Sequence, residues 1–207
     1  MISSRYKFIY LHVPKTGGNA VQSILLPHSD DEKFVLDFQD GVDRFGIRGA
    51  VTPEKHALLR DYYAVMGTEV ARYHVALTVR HPYDRLVSHY FSPHRWRDPD
   101  DPSRSIPPVF DEAAFVRTAR TLKPMLAFLE VPAPIHAGTT VLRFERLADD
   151  LNAFAARLIP DLRVVLPHVN KSAAPQELGQ WVRNSRALRN AVEPYLREDL
   201  AAFDYTL

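Results

Sequence analysis

The run Phe8-Ile9-Tyr10-Leu11-His12-Val13 is β-branched and aromatic, and it stops at Pro14 and a Gly17-Gly18 pair. Such a run reads as a buried strand that enters a tight loop. Val21, Ile24 and Leu25 then recur at helical spacing from Ala20 to Leu26, and Pro27 ends the pattern. The same grammar returns further on. His74-Val-Ala-Leu-Thr-Val-Arg80 is a second strand, and Pro82 stands as the first residue of a helix over about 83–91.

The rest of the chain keeps this alternation. Thr52-Pro53-Glu54 has the form of a helix start, with Thr52 as cap, and predicts a helix to Met66 stopped by Gly67. Phe34-Val35-Leu36 suggests a short strand. Asp111 caps a helix from Glu112 that Pro124 ends, and 139–144 is a third strand. Leu151, Phe154 and Leu158 share one side of a helix over 147–158. Arg163–Leu166 reads as a fourth strand, and the segment from Pro175 onward as helix interrupted at Pro194. Strands alternating with helices predict an α/β fold with a central, mostly parallel sheet flanked by helices. No repeat or boundary is visible, so residues 1–207 read as a single domain.

Composition narrows the function classes. A formal charge of +1 gives no general attraction for nucleic acid or membrane, so an anion site has to be local. With no cysteine there are no disulfides and no thiolate metal ligands. No apolar run is long enough to span a bilayer and the N-terminus has no signal-like core, which predicts a cytoplasmic protein.

Two local sites stand out. In His12-Val13-Pro14-Lys15-Thr16-Gly17-Gly18-Asn19-Ala20 the glycines let backbone N–H groups approach an anion, and the helix start adds donors and partial positive charge. Lys15 adds a full charge and Thr16 a hydroxyl. The lysine precedes the glycines, unlike the Walker order. An ordinary strand–turn–helix junction is the plainer reading. At the second site Arg80 ends a strand and Ser88 lies eight residues on, in the helix begun by Pro82. In a parallel sheet both strand ends share one edge, where open α/β sheets bind ligands. Arg80 in an ion pair and Ser88 on a helix surface would be equally ordinary. Together, two cradles suit a nucleoside with phosphates at both ends.

On these residues the chain resembles the PAPS-dependent sulfotransferases (PAPS is 3′-phosphoadenosine 5′-phosphosulfate), in particular the carbohydrate branch and its small bacterial relatives, with their P-loop-like fold. Lys15-Thr16-Gly17-Gly18-Asn19 looks like the family's 5′-phosphosulfate loop, and Arg80-His81-Pro82-Tyr83-Asp84-Arg85-Leu86-Val87-Ser88 like its 3′-phosphate motif. Leu142-Arg143-Phe144-Glu145-Arg146-Leu147 is similar to an Arg-aromatic-Glu segment. His168-Val169-Asn170-Lys171-Ser172 is similar to a loop that closes over the nucleotide, and Tyr195, Asp199, Phe203 and Tyr205 match its closing helix. Asn19 stands where Thr or Ser is common, and His81 where Asn is common.

The resemblance implies sulfuryl transfer from PAPS to a hydroxyl of a carbohydrate or other small molecule, leaving adenosine 3′,5′-bisphosphate. Lys15, Thr16, Gly17, Gly18, Asn19, Ala20, Arg80, Ser88, Lys171 and Ser172 would bind the cofactor, with Lys15 also stabilising the leaving phosphate. The transferred group carries less charge than a phosphoryl group and no acidic Mg²⁺ motif follows the loop, so no metal is expected. His56 is the expected base. The Thr52 cap would put it in a first helical turn, where the dipole disfavours the imidazolium, and Lys55-His56 matches a Lys-His pair of the bacterial relatives. His12 (inside the strand), His81, His89 and Glu145 are rivals, and a surface histidine is the plain alternative. The 93–108 stretch holds five prolines with His94, Arg95, Trp96, Arg97 and Arg104. It reads as an acceptor-facing loop or an ordinary surface one. A P-loop kinase, or a nucleotide-binding protein without transfer activity, remains the alternative function.

Overall fold

A computed structural model describes residues 1–35, 44–101, 104–130, 138–160, 162–166, 181–182 and 184–206. In chain order the elements are β1 (Ile2–Ser3), β2 (Phe8–Leu11), α1 (Gly18–Leu25), β3 (Glu32–Phe34), β4 (Gly46–Arg48), α2 (Leu59–Met66), β5 (His74–Val79), α3 (Pro82–Tyr90), α4 (Glu112–Thr121), β6 (Thr140–Arg143), α5 (Leu147–Leu158) and α6 (Arg186–Ala202). They fall into two compact units, Met1–Val79 with Ala127–Asn170, and Arg80–Leu126 with Lys171–Leu207.

The first unit carries a four-stranded sheet in the order β1-β2-β5-β6. β2, β5 and β6 are parallel, with Leu11 opposite Leu77 and Leu77 opposite Val141. This is the mostly parallel α/β sheet that the alternating pattern predicts. β2 is buried at every position, as expected of a strand covered on both faces. Phe8, Tyr10 and Ala76 from the strands pack with Val21 and Leu25 of α1 and Leu151 and Phe154 of α5. The rings of Phe8 and Phe154 meet edge to face. β1 lies antiparallel on β2, pairing Ile2 with Ile9, and is too short to show a period in the sequence. β3 and β4 form a separate antiparallel pair. β3 begins two residues earlier than the run at Phe34 suggests, and Leu36 lies outside the described residues.

Two expectations for this unit are corrected. The helix predicted from Thr52 starts only at Leu59. Thr52 is fully buried, donates to Asp31 Oδ2 at 3.0 Å and bonds to the Tyr62 hydroxyl at 3.2 Å, so its side chain links core groups instead of capping. The helix start is marked by Asp61, whose carboxylate accepts the Leu58 N–H at 2.7 Å. Residues 163–166 are not a strand. Leu162, Val164 and Leu166 do turn to the core. Their alternation records packing, and no ladder partner accompanies it.

In the second unit α3, α4 and α6 pack through Tyr83, Leu86, Phe115, Leu188, Val192 and Leu196. Asp111 caps α4 by accepting from Ala114 N, as its position predicts. α6 runs through Pro194 without the expected interruption. Pro194 is on the exposed side, as is Asn190 one turn earlier. Water can therefore serve the carbonyl that proline leaves unpaired. No described helix is long and apolar enough to cross a membrane.

Candidate active site

In the first unit, parallel pairing brings the carboxyl ends of β2, β5 and β6 to one sheet edge. The chain leaves β2 through Lys15 and Gly17, both left-handed, with φ of 71° and 85°. Left-handed residues curl successive N–H groups toward one side, the geometry of a backbone anion nest. Gly17 needs to be glycine for its φ. Space reinforces this, because a Cβ there would come within 2.9 Å of the Phe144 ring in the turn after β6. The Arg-aromatic-Glu segment therefore supports the loop. Its Glu145 is exposed.

α1 begins directly after this loop. Among the described α-helices it alone has neither a side-chain cap nor an acidic residue in its first turn. Its first N–H groups have no intrahelical acceptor and no local negative charge to offset the dipole. The donors are those of Gly17 and Gly18, because the Ala20 N–H already bonds to Gly17 O at 3.1 Å.

Thr16 departs from its expected role. Its hydroxyl is fully buried and donates to Val13 O at 2.8 Å. The 2.7 Å bond to Thr78 Oγ1 must then run from Thr78, and the 2.8 Å bond between Tyr10 and Thr78 from Tyr10. This ordered chain, Tyr10 to Thr78 to Thr16 to Val13, fastens the loop to β5. The Thr16 proton is committed inward, which leaves its main chain for a ligand. Thr78→Val removes the central link and strands the Tyr10 hydroxyl. It should cost about 1–3 kcal/mol in urea unfolding, and unchanged stability would show that the chain does not tie the loop down.

His56 lies in the turn before α2, not in its first turn as expected. The helix-dipole rationale for its basicity therefore fails. A different contact orients it. Its Nδ1 is 2.9 Å from His12 O, and a carbonyl only accepts, so Nδ1 carries the proton. In the neutral ring Nε2 is then the basic nitrogen. The ring of His12 lies against it, with centroids 4.5 Å apart. His12 is buried, and its Nδ1 is 2.7 Å from Gln22 Oε1. Burial first, then the charges of His56 and Lys55, push the His12 pKa well below the usual histidine value, against the opposing Gln22 bond. His12 stays neutral. Sequence reading placed it inside the strand and missed this pairing, whose partner lies 44 residues away.

In the second unit, Arg80 follows the last residue of β5 and is half-buried. Pro82 is the first residue of α3, as predicted, and His81 precedes it without a side-chain cap. Ser88 is buried on α3, yet its hydroxyl bonds to no described residue. His81 donates from Nε2 to Thr206 O at 3.0 Å and meets the Tyr205 ring, which gives it a structural task. Asp199, matched by resemblance to a nucleotide-closing helix, faces inward. It accepts the N–H groups of Met125 and Leu126 and pairs with Arg85. Tyr195 accepts from Arg120 at 2.8 Å. Part of the 93–108 stretch is a short β-bridge between Arg97 and Ser105. Lys171 and Ser172 lie outside the described residues.

In the first unit the residues present fit an anion: an uncapped helix start behind two left-handed residues, with a neutral buried histidine beside it. In the second unit, taken by itself, α3 carries a buried hydroxyl with no described partner. Residues 1–101 match the family described as the sulfotransferase family. No curated protein and no solved structure matches the chain.

Proposed function

We propose that this chain, whose residues 1–101 match the sulfotransferase family, moves a sulfuryl group from PAPS to a hydroxyl of a carbohydrate or other small acceptor. The family match supports a transferase. The observation that carries the finer reading is the α1 entrance, where uncapped N–H groups, Lys15 and the tautomer-fixed His56 belong to one unit.

When bound, PAPS supplies an activated sulfuryl group with a phosphate as leaving group. Lys15 and the N–H groups of Gly17 and Gly18 offset the charge that grows on that phosphate, with Thr16 contributing main chain only. Fixed donors of this kind need no reorganisation as the charge develops. His56 accepts the acceptor's proton at Nε2, because Nδ1 is already committed to His12 O. Arg80 and Ser88 take the 3′-phosphate, the guanidinium offering paired donors. Lys171 and Ser172 contact the nucleotide.

Calorimetric titration tests the cofactor. Adenosine 3′,5′-bisphosphate should bind at least about tenfold more tightly than 5′-AMP, the effect of one charged hydrogen-bonded contact, and without added Mg²⁺. Equal affinities would remove the 3′-phosphate role from Arg80 and Ser88. Tighter binding of ATP with Mg²⁺ would favour a kinase.

A further inference from the structure

Gly18 is glycine for a reason separate from backbone freedom. A Cβ at this position would lie 2.0 Å from Cδ2 and 2.4 Å from Nε2 of His12. The Cδ2–Nε2 edge of the imidazole is thus packed against Gly18, the first residue of α1. His12 is 4% exposed, and its Nε2 makes no hydrogen bond to a described residue. With Nδ1 bonded to Gln22 and the ring packed on Gly18, Nε2 is the nitrogen of this largely buried ring that a ligand at the start of α1 can meet.

Gln22 bears on which ring nitrogen holds the proton. With Oε1 toward His12 Nδ1, the imidazole proton sits on Nδ1, and both N–H groups of the buried Gln22 Nε2 have no acceptor. A half-turn of the amide lets one of those N–H groups donate to Nδ1. An oxygen is then left where the nitrogen was. Buried N–H groups are rarely left orphaned, and carbonyl oxygens tolerate it better. The turned amide also moves the imidazole proton to Nε2, the nitrogen that faces α1.

We propose that His12 is an anion-binding residue of the Lys15–Gly18 loop, donating from Nε2–H to an oxygen of a bound sulfate or phosphate group, with Gln22 holding the ring in that tautomer. This deepens the proposed function and rests on the loop being its anion site. A neutral donor suits the position. An imidazolium would be disfavoured by burial and by Lys55 and His56, whereas a neutral ring donates one directed bond. The bond also restrains the ring against which His56 rests, so anion binding and base orientation share one side chain.

The test is ring-nitrogen NMR of ¹⁵N-histidine-labelled protein, alone and with inorganic sulfate or adenosine 3′,5′-bisphosphate. The His12 signals, assigned by their loss in His12→Gln, should show Nε2 protonated and Nδ1 unprotonated in the anion-bound protein. Affinity gives a second reading. A glutamine amide reaches about as far as Nε2 and an asparagine amide only as far as Nδ1. His12→Asn should weaken binding of both anions by about tenfold to a hundredfold, and His12→Gln should keep most of it. A proton on Nδ1 with the anion bound, wild-type affinity in His12→Asn, or no binding of either anion overturns the proposal. Loss of the signals in His12→Asn assigns them equally well, so the wild-type spectrum decides even if one of the two variants fails to fold. A protein that binds both anions through Nε2–H but transfers no sulfuryl group would keep this site and remove the proposed activity.

Discussion

Lys15→Gly should lower turnover by about a thousandfold or more while leaving the protein as stable as before, or slightly more so. Lys15 sits at φ 71°, in the left-handed region that costs a side-chain-bearing residue about 1 kcal/mol or more. Glycine would occupy that backbone without strain. A lysine kept there opposes the local conformational preference, so its value lies in the ammonium group. In the proposed reaction that charge acts on a phosphate whose negative charge grows toward the transition state. Cationic groups in the comparable role in phosphoryl transfer are worth about 10³–10⁵ in rate. The measurement is steady-state turnover of PAPS beside a thermal melt. Unchanged turnover in a well-folded Lys15→Gly protein would remove Lys15 from the chemistry. Lys15→Ala should be equally inactive but keep the strain, so comparing the two separates charge from backbone.

The second large effect is expected at Asp199, and on stability alone. Its carboxylate accepts the N–H groups of Met125 at 2.8 Å and Leu126 at 3.0 Å and lies 3.6 Å from Arg85. Arg85 also donates to Lys123 O at 2.9 Å. Asp199→Ala would leave a buried guanidinium without its counter-charge and two N–H groups without acceptors, a loss of about 3–5 kcal/mol. Burial pushes the Asp199 pKa up, against its two backbone bonds and Arg85, and brings that of Arg85 down to about 10. Desolvation thus works against both charges. The pair is costly to break without being a large net source of stability, and it fixes where the chain after α4 joins α6. Urea unfolding of Asp199→Ala gives the measurement. A loss under about 1 kcal/mol would mean that water reaches Arg85 once the carboxylate is gone.

These results separate what can be read along the chain from what cannot. The strand ending before Pro14, the helix after Gly18, the helix begun by Pro82 and the one capped by Asp111 all depend on residues within a few positions of each other. Propensity, capping and periodicity act over that range, so the sequence alone determined the alternating order of elements and the α/β class. The positions of the left-handed loop before α1 and of the helix that carries Ser88 were legible for the same reason. Their inner workings were not. Thr16 has the composition of a ligand-binding hydroxyl, but its proton is claimed by a chain through Thr78, 62 residues away. His56 was placed in a helix by a plausible Thr-Pro-Glu start, yet Thr52 is drawn into the core by Asp31 and Tyr62. What orients the ring is the carbonyl of His12, brought near by the tertiary fold. Pro194 breaks a helix on propensity alone but not on a face that water can reach. In each case a hydrogen bond or a solvent-facing side set by distant residues outweighed a local preference of about 1–3 kcal/mol, and no pattern along the chain encodes that balance.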